Sequence, residues 1–184
     1  MTGLDLSQTL SDTDENALRS AFLHYHLLCF ESRPLSAEKF LVFARVFGIP
    51  QLQLLSSLQD NNFPEVSILK STYKTRDEKP KDLAKVRLSG WHTDDSYFEK
   101  PAKATLLQAL HVPDTGGQTR FINTRLAYER MPEAVRNNIA ELEATHCYDT
   151  VRASARAQKL TADERQKTRD VVHPLIRTHE ETGH

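Results

Sequence analysis

His92 and Asp94, in the stretch WHTDDSYF that begins at Trp91, are the residues whose types and spacing could do chemistry. If this stretch leaves a strand, side chains two apart share a face, so the imidazole and the carboxylate converge while Thr93 and Asp95 point away. A neutral imidazole and a carboxylate can fill two adjacent corners of an octahedral metal site. One more histidine from a distant strand would give two histidines and a carboxylate on one face, with the opposite face open to other ligands. That donor set suits Fe(II) in non-haem oxygen chemistry, whereas a chain with two cysteines argues against a structural zinc site. His-x-Asp is nevertheless a short pattern in a chain with eight histidines. A hydrogen-bonded polar turn on the surface competes with the metal reading, and the surrounding elements have to decide.

The 184 residues are enough for one domain with a sizeable core, residues 1–184, and too few for two comfortable ones. Charged residues are interspersed and the net charge is -1, so no basic surface is set aside for a nucleic acid. The start, MTGLDLSQTLSD, lacks the basic and apolar segments of a signal peptide, and no run approaches the roughly eighteen apolar residues of a membrane span. Cys29 and Cys147 stand far apart and read as two buried thiols in a reducing compartment. The expectation is a soluble cytoplasmic protein with neither nucleic-acid nor membrane partners.

Ser11 followed by Asp14 reads as a helix cap, with Leu18, Phe22 and Tyr25 at helical spacing behind it and an end near Tyr25. HLLCF (26–30) reads as a short strand. Ser36 caps a second helix with an apolar face of Phe40, Phe43, Ala44 and Phe47, closed by Gly48 and Pro50; that face is core. EVSILKS (65–71) reads as a strand, and the charged segment at about 72–87 as an exposed loop that could act as a lid. ATLLQALHV (104–112) and QTRFIN (118–123) read as strands joined by the turn DTGG. Two helices are expected after them, in TRLAYERM and in PEAVRNNIAELEATH. A capping box at Thr161–Glu164 predicts a polar helix over the surface. VVHPLIRTH (171–179) reads as a strand and EETG as a turn with no returning partner, so the chain is expected to be cut off there.

These segments, taken in order, resemble the TauD/TfdA family of Fe(II)- and 2-oxoglutarate-dependent dioxygenases. The resemblance runs through GLDLSQTLSD, LSAEKFLVFARVFGIP, the long block from WHTDD to ERMP, ATHCYD and HPLIRTHEETG, which is nearly the whole chain. It implies a mainly β fold with flanking α-helices, a double-stranded β-helix (jelly roll, cupin-like) that is incomplete at the C-terminus. It implies that His92 and Asp94 are two iron ligands and that Thr119, in GGQTRF, contacts the 2-oxoglutarate carboxylate. A hydroxyl suits that task, because a carboxylate in a dry site needs donors. Trp91 is expected to pack beneath the ligands. The implied cofactors are Fe(II) and the cosubstrate 2-oxoglutarate, and the implied partners are O2 and a small organic substrate such as a sulfonate, sulfate ester or aryloxyacetate. The implied reaction is hydroxylation coupled to decarboxylation of 2-oxoglutarate to succinate. A homo-oligomer is compatible with this reading.

The family's distal histidine and the arginine that pairs with the far carboxylate of 2-oxoglutarate fall beyond the RTHEETG turn. By position His111, His146, His173, His179 and His184 are not that ligand; His146 and His173 are expected to be structural or, at most, to support the ligands from behind, and His184 mobile. Little or no turnover is therefore expected of the 184-residue form. Leu88 stands where taurine-type members carry an asparagine, which disfavours taurine. The alternative is an inactive fragment or degenerate jelly-roll module acting through association with another chain. A zinc hydrolase using the same pair ranks last for want of a nearby general base.

Overall fold

Local signals in the chain build the helices. The Ser11 hydroxyl accepts from the Asp14 amide at 3.2 Å and starts α1 (Asp12–Tyr25), whose first turn carries Asp12, Asp14 and Glu15 against the positive end of the helix. His26, with φ 62°, stops it in the left-handed region. Ser36 caps α2 (Ala37–Ala44) through the Lys39 amide. This helix ends short of Phe47 because Val46 and Phe47 turn their amides to the carbonyls three residues back, at 3.1 and 3.0 Å. Gly48 then takes φ 154°, a backbone conformation that suits glycine. The structure, a computed structural model, describes residues 4–69, 91–112, 114, 119–148 and 160–184.

The core lies where these two helices meet. Leu6, Leu18, Phe43 and Val46 are buried together, and Leu18 has no exposure at all (0%). Phe22, Phe47, Phe43 and Phe30 form a chain of edge-to-face ring contacts with centroids 5.4–5.7 Å apart, the geometry favoured by the ring quadrupoles. The Arg19 guanidinium donates to the Val46 carbonyl at 2.6 Å and ties α1 to the chain leaving α2.

The strand expectations fare differently. Residues 26–30, 104–112 and 119–123 run without a hydrogen-bonded ladder, and 65–69 contribute a single bridge, Gln59 to Ser67. Apolar alternation sets which side chains turn inward, but a strand also needs a neighbour to accept its amides. Residues 104–109 keep the inward-outward alternation, with Ala104, Leu106 and Gln108 partly buried and Thr105, Leu107 and Ala109 exposed. In place of a ladder, the Gln108 amide clasps one residue of backbone: its Oε1 accepts from the Leu35 N–H at 2.7 Å and its Nε2 donates to the Leu35 carbonyl at 3.0 Å.

Among the described residues the sheet is one antiparallel ribbon, β1 (Glu143–His146) with β2 (Val171–Pro174), registered Glu143 to Pro174 and His146 to Val171. The mainly β architecture is thus represented there by two short strands, and the helices hold more residues. The ribbon corrects two expectations. The helix predicted through His146 is α4 (Glu133–Ile139), preceded by α3 (Thr124–Glu129), and its second half is strand because Ala144 and Thr145 pair with His173 and Val172. The segment from Val171 is not left unpaired, since its partner precedes it in the chain. Pro174 closes the ribbon, and the Leu175 amide continues the pairing to the Leu142 carbonyl at 2.7 Å.

The capping box forms as predicted on α5 (Ala162–Lys167), a polar surface helix exposed at every residue but Glu164. Glu164 is 5% exposed and its carboxylate accepts from the Thr161 amide at 2.7 Å and from the Ser56 amide and hydroxyl at 2.9 Å. Those donors hold its pKa down at about 2, the Thr161 and Ser56 amides contributing most. The charged segment at 72–87, Leu88 and the DTGG glycines lie outside the described residues.

Candidate functional site

A groove of about 870 Å³ runs between the stretch from His26 to Leu35, the aromatic face of α2, and the extended residues 102–109. Phe22, Phe30, Phe43 and Phe47 wall it, so the face read as core is core and also the apolar side of a cavity. His92, Thr93 and Asp94 stand together in its lining. The Gln108–Leu35 clasp joins two of its walls and fixes their separation.

His92 Nε2 lies 3.2 Å from Asp94 Oδ1, and both side chains are about half exposed, at 58% and 48%. The predicted convergence is therefore present, on a surface a small molecule can reach. Thr93 lines the groove with them rather than pointing away, because the chain here leaves the extended geometry for a turn. Asp95 has φ 57°, a left-handed conformation that aspartate tolerates better than most residues, and the Phe98 amide closes the turn onto the Asp95 carbonyl at 3.0 Å.

Behind the turn stands the β1–β2 ribbon. His173, 8% exposed on β2, places Nε2 3.0 Å from the Phe98 carbonyl, and its ring meets that of His146 edge-on at 5.3 Å. Tyr97 donates its hydroxyl to Asp95 at 3.0 Å and packs edge-on against Tyr148, just past β1, at 5.2 Å. Burial first, and then the Asp95 carboxylate, hold the Tyr97 phenol well above its ordinary pKa, so it stays a donor.

Thr119 is exposed and is absent from the lining of the groove, although Phe121, two residues on, is part of it. Trp91 is 66% exposed and does not pack beneath the pair. Neither cysteine is buried: Cys29 is exposed and Cys147 half-buried, and they are not joined. His184 is tied by its carbonyl, which accepts from the His179 amide at 2.6 Å. Among the described residues no three histidine, cysteine or carboxylate side chains gather as a metal site, so His92 and Asp94 stand as a pair. Sequence reasoning missed Gln108, Tyr97 and the contact from His173. The first left a trace, a long amide at an inward position of an otherwise apolar alternation, and the Tyr97 bond to Asp95 is local, two residues apart; the His173 contact depends on pairing that no local pattern reveals.

The chain is a member of the TauD/TfdA family, matching the family described as "Taurine catabolism dioxygenase TauD, TfdA family" over residues 2–184. Among its relatives, the (S)-phenoxypropionate/alpha-ketoglutarate-dioxygenase of Sphingobium herbicidovorans is 29% identical over 191 residues, which take in 100% of this chain and 63% of that protein. The alpha-ketoglutarate-dependent 2,4-dichlorophenoxyacetate dioxygenase of Cupriavidus pinatubonensis is 26% identical, covering 98% of this chain and 65% of that one. In structure the chain is similar to AAD-2, crystallised in complex with Mn(II) and N-oxalylglycine, with TM-score 0.70 and 26% identity over 99% of this chain and 61% of AAD-2. The chain thus spans less than two thirds of the length of these relatives. No described helix is long and apolar enough to cross a membrane.

Proposed function

We propose that this chain is part of a jelly-roll dioxygenase that takes Fe(II) and 2-oxoglutarate and hydroxylates a small organic substrate. The observation that carries the proposal is the 3.2 Å approach of His92 Nε2 to Asp94 Oδ1 in the lining of an apolar groove. Two donors at right angles about a six-coordinate ion, each roughly 2.1 Å from it, lie about 3.0 Å apart. The observed spacing fits two adjacent corners, and imidazole with carboxylate suits Fe(II). When bound there, the ion would supply activation of O2, one oxygen atom ending in the succinate formed as 2-oxoglutarate loses CO2 and the other in the new hydroxyl of the substrate.

The remaining work falls to the chain. The aromatic walls offer an apolar body a surface to rest on, a task suited to an aryloxyacetate, and sulfonates or sulfate esters share its pattern of apolar group and anion. The names of the phenoxypropionate and dichlorophenoxyacetate relatives support the first of these, and AAD-2's Mn(II) and N-oxalylglycine support a divalent ion with an acidic cosubstrate. Thr119, if it turns toward the groove as Phe121 does, offers a hydroxyl donor to the cosubstrate carboxylate.

A second reading, a non-catalytic module acting through another chain, draws on exposed apolar side chains near the groove, Leu107 at 70%, Val112 at 73% and Phe121 at 61%. Anaerobic Fe(II) titration with 2-oxoglutarate present separates the two. The enzyme reading expects saturable binding that weakens at least about tenfold in His92→Ala and in Asp94→Ala. Equal binding by wild type and both variants, or none by any of them, would favour the non-catalytic module.

A further inference from the structure

We infer that His173 is a positioning residue for the His92–Asp94 pair, acting through the Asp95–Phe98 turn; the inference rests on the metal-binding reading above. A carbonyl only accepts, so the contact at 3.0 Å requires that His173 Nε2 carry the proton and donate to Phe98. Phe98 is the last residue of the turn whose first residue, Asp95, directly follows Asp94. Four constraints thus meet in four residues: the left-handed backbone of Asp95, its carbonyl bond to the Phe98 amide, the Tyr97 hydroxyl on its carboxylate, and the ribbon's imidazole on the Phe98 carbonyl.

The first three are internal to the turn and fix its shape. Of these four, the His173 bond reaches from elsewhere, 75 residues along the chain, and together with the Tyr97–Tyr148 ring contact it ties the turn to the ribbon. His173 is also the better buried end of the contact, 8% exposed beside the half-exposed pair it serves, so its bond competes little with water. Loss of that bond leaves the turn its shape and only the Tyr97–Tyr148 ring contact to hold it, so Asp94, attached to one end, gains freedom relative to the groove. Groups that orient ligating side chains commonly change metal affinity about 10- to 100-fold when removed.

The test compares the 184-residue chain with His173→Leu, which removes the donor and keeps an apolar side chain, and His173→Gln, whose amide N–H can still reach the carbonyl. Imidazole nitrogen NMR of His92 is recorded without metal, and Mn(II) is then titrated. His173→Leu is expected to shift the His92 resonances and weaken Mn(II) binding about tenfold or more, and His173→Gln to return both toward wild type. Unchanged His92 resonances in a folded His173→Leu overturn the inference, as does failure of glutamine to restore them. Should His173→Leu not fold, His173→Phe takes its place, a ring that keeps the packing against His146 but has no donor, and unchanged His92 resonances in that folded variant overturn the inference. A wild type that binds no Mn(II) defeats the proposed function, yet the metal-free NMR comparison still decides the positioning role.

Discussion

The junction of α1 and α2 and the extended residues 102–112 are both apolar, but they hold their apolar side chains in opposite ways. At the junction Leu18 is fully enclosed and Phe43 and Val46 are nearly so. In the extended segment Leu106 turns in, while Leu107, Leu110 and Val112 are 70%, 55% and 73% exposed. A helix satisfies its own backbone, so two capped helices can close a core by themselves. An extended segment satisfies neither its backbone nor its second face without neighbours. The groove lies along this boundary: one wall is core, and the other is tied down at points, by the Gln108 clasp on Leu35, by Leu106 against the core and by Lys103 paired with Glu181.

The comparison is broken most forcefully at Leu18. Leu18→Ala removes a side chain that is 0% exposed and is expected to cost about 2–5 kcal/mol of unfolding free energy. Leu107→Ala, the same chemical change in the extended segment at 70% exposure, is expected to change it by no more than about 0.5 kcal/mol. Urea unfolding of both variants reads the difference. Similar losses in the two would mean that Leu107 is enclosed in solution and that the second wall is as firmly built as the first.

A smaller effect is expected where the two regions meet. Gln108→Ala strips the Leu35 amide and carbonyl of partners that stand at 2.7 and 3.0 Å in a half-buried setting. Leaving such groups unpaired costs about 1–3 kcal/mol. Because the clasp joins two walls of the groove, faster amide exchange should appear at Leu35 while Leu18 keeps its protection. Uniform loss of protection through α1 would show that the clasp supports the core and not just the wall.

What could be read from the sequence follows the same division. Ser11, Ser36 and Thr161 each announced a helix, because a cap and the turn it serves lie within four residues of one another. The His92–Asp94 pair was legible for a similar reason: its spacing is local, and so is the turn that presents it. The ribbon was not. Glu143–His146 continues a helical pattern in the chain, and nothing within it announces the pairing with Val171–Pro174 that turns it into strand. The same distance hid the contact from His173 to Phe98, and the pairing of Gln108 with Leu35 across 73 residues. Thr119 rests on resemblance to the family, and its hydroxyl stands exposed beyond the groove lining.

The last and most confined effect concerns Glu164, the buried carboxylate that joins α5 to Ser56. Its folded pKa, about 2, lies below the ordinary glutamate value of 4.5 because amide and hydroxyl donors favour the charged form. The unfolded state therefore binds a proton before the folded state does as the pH falls. The stabilisation from this group is fully present above about pH 4.5 and drains away between there and about pH 2. Glu164→Gln cannot titrate, so part of the acid sensitivity of unfolding should vanish from that window, while the slope above it stays as in wild type. The α1–α2 core has no comparable buried carboxylate among its clustered side chains, Leu6, Leu18, Phe43 and Val46. An acid limb identical in wild type and Glu164→Gln would show that the Ser56 contact does not persist in solution.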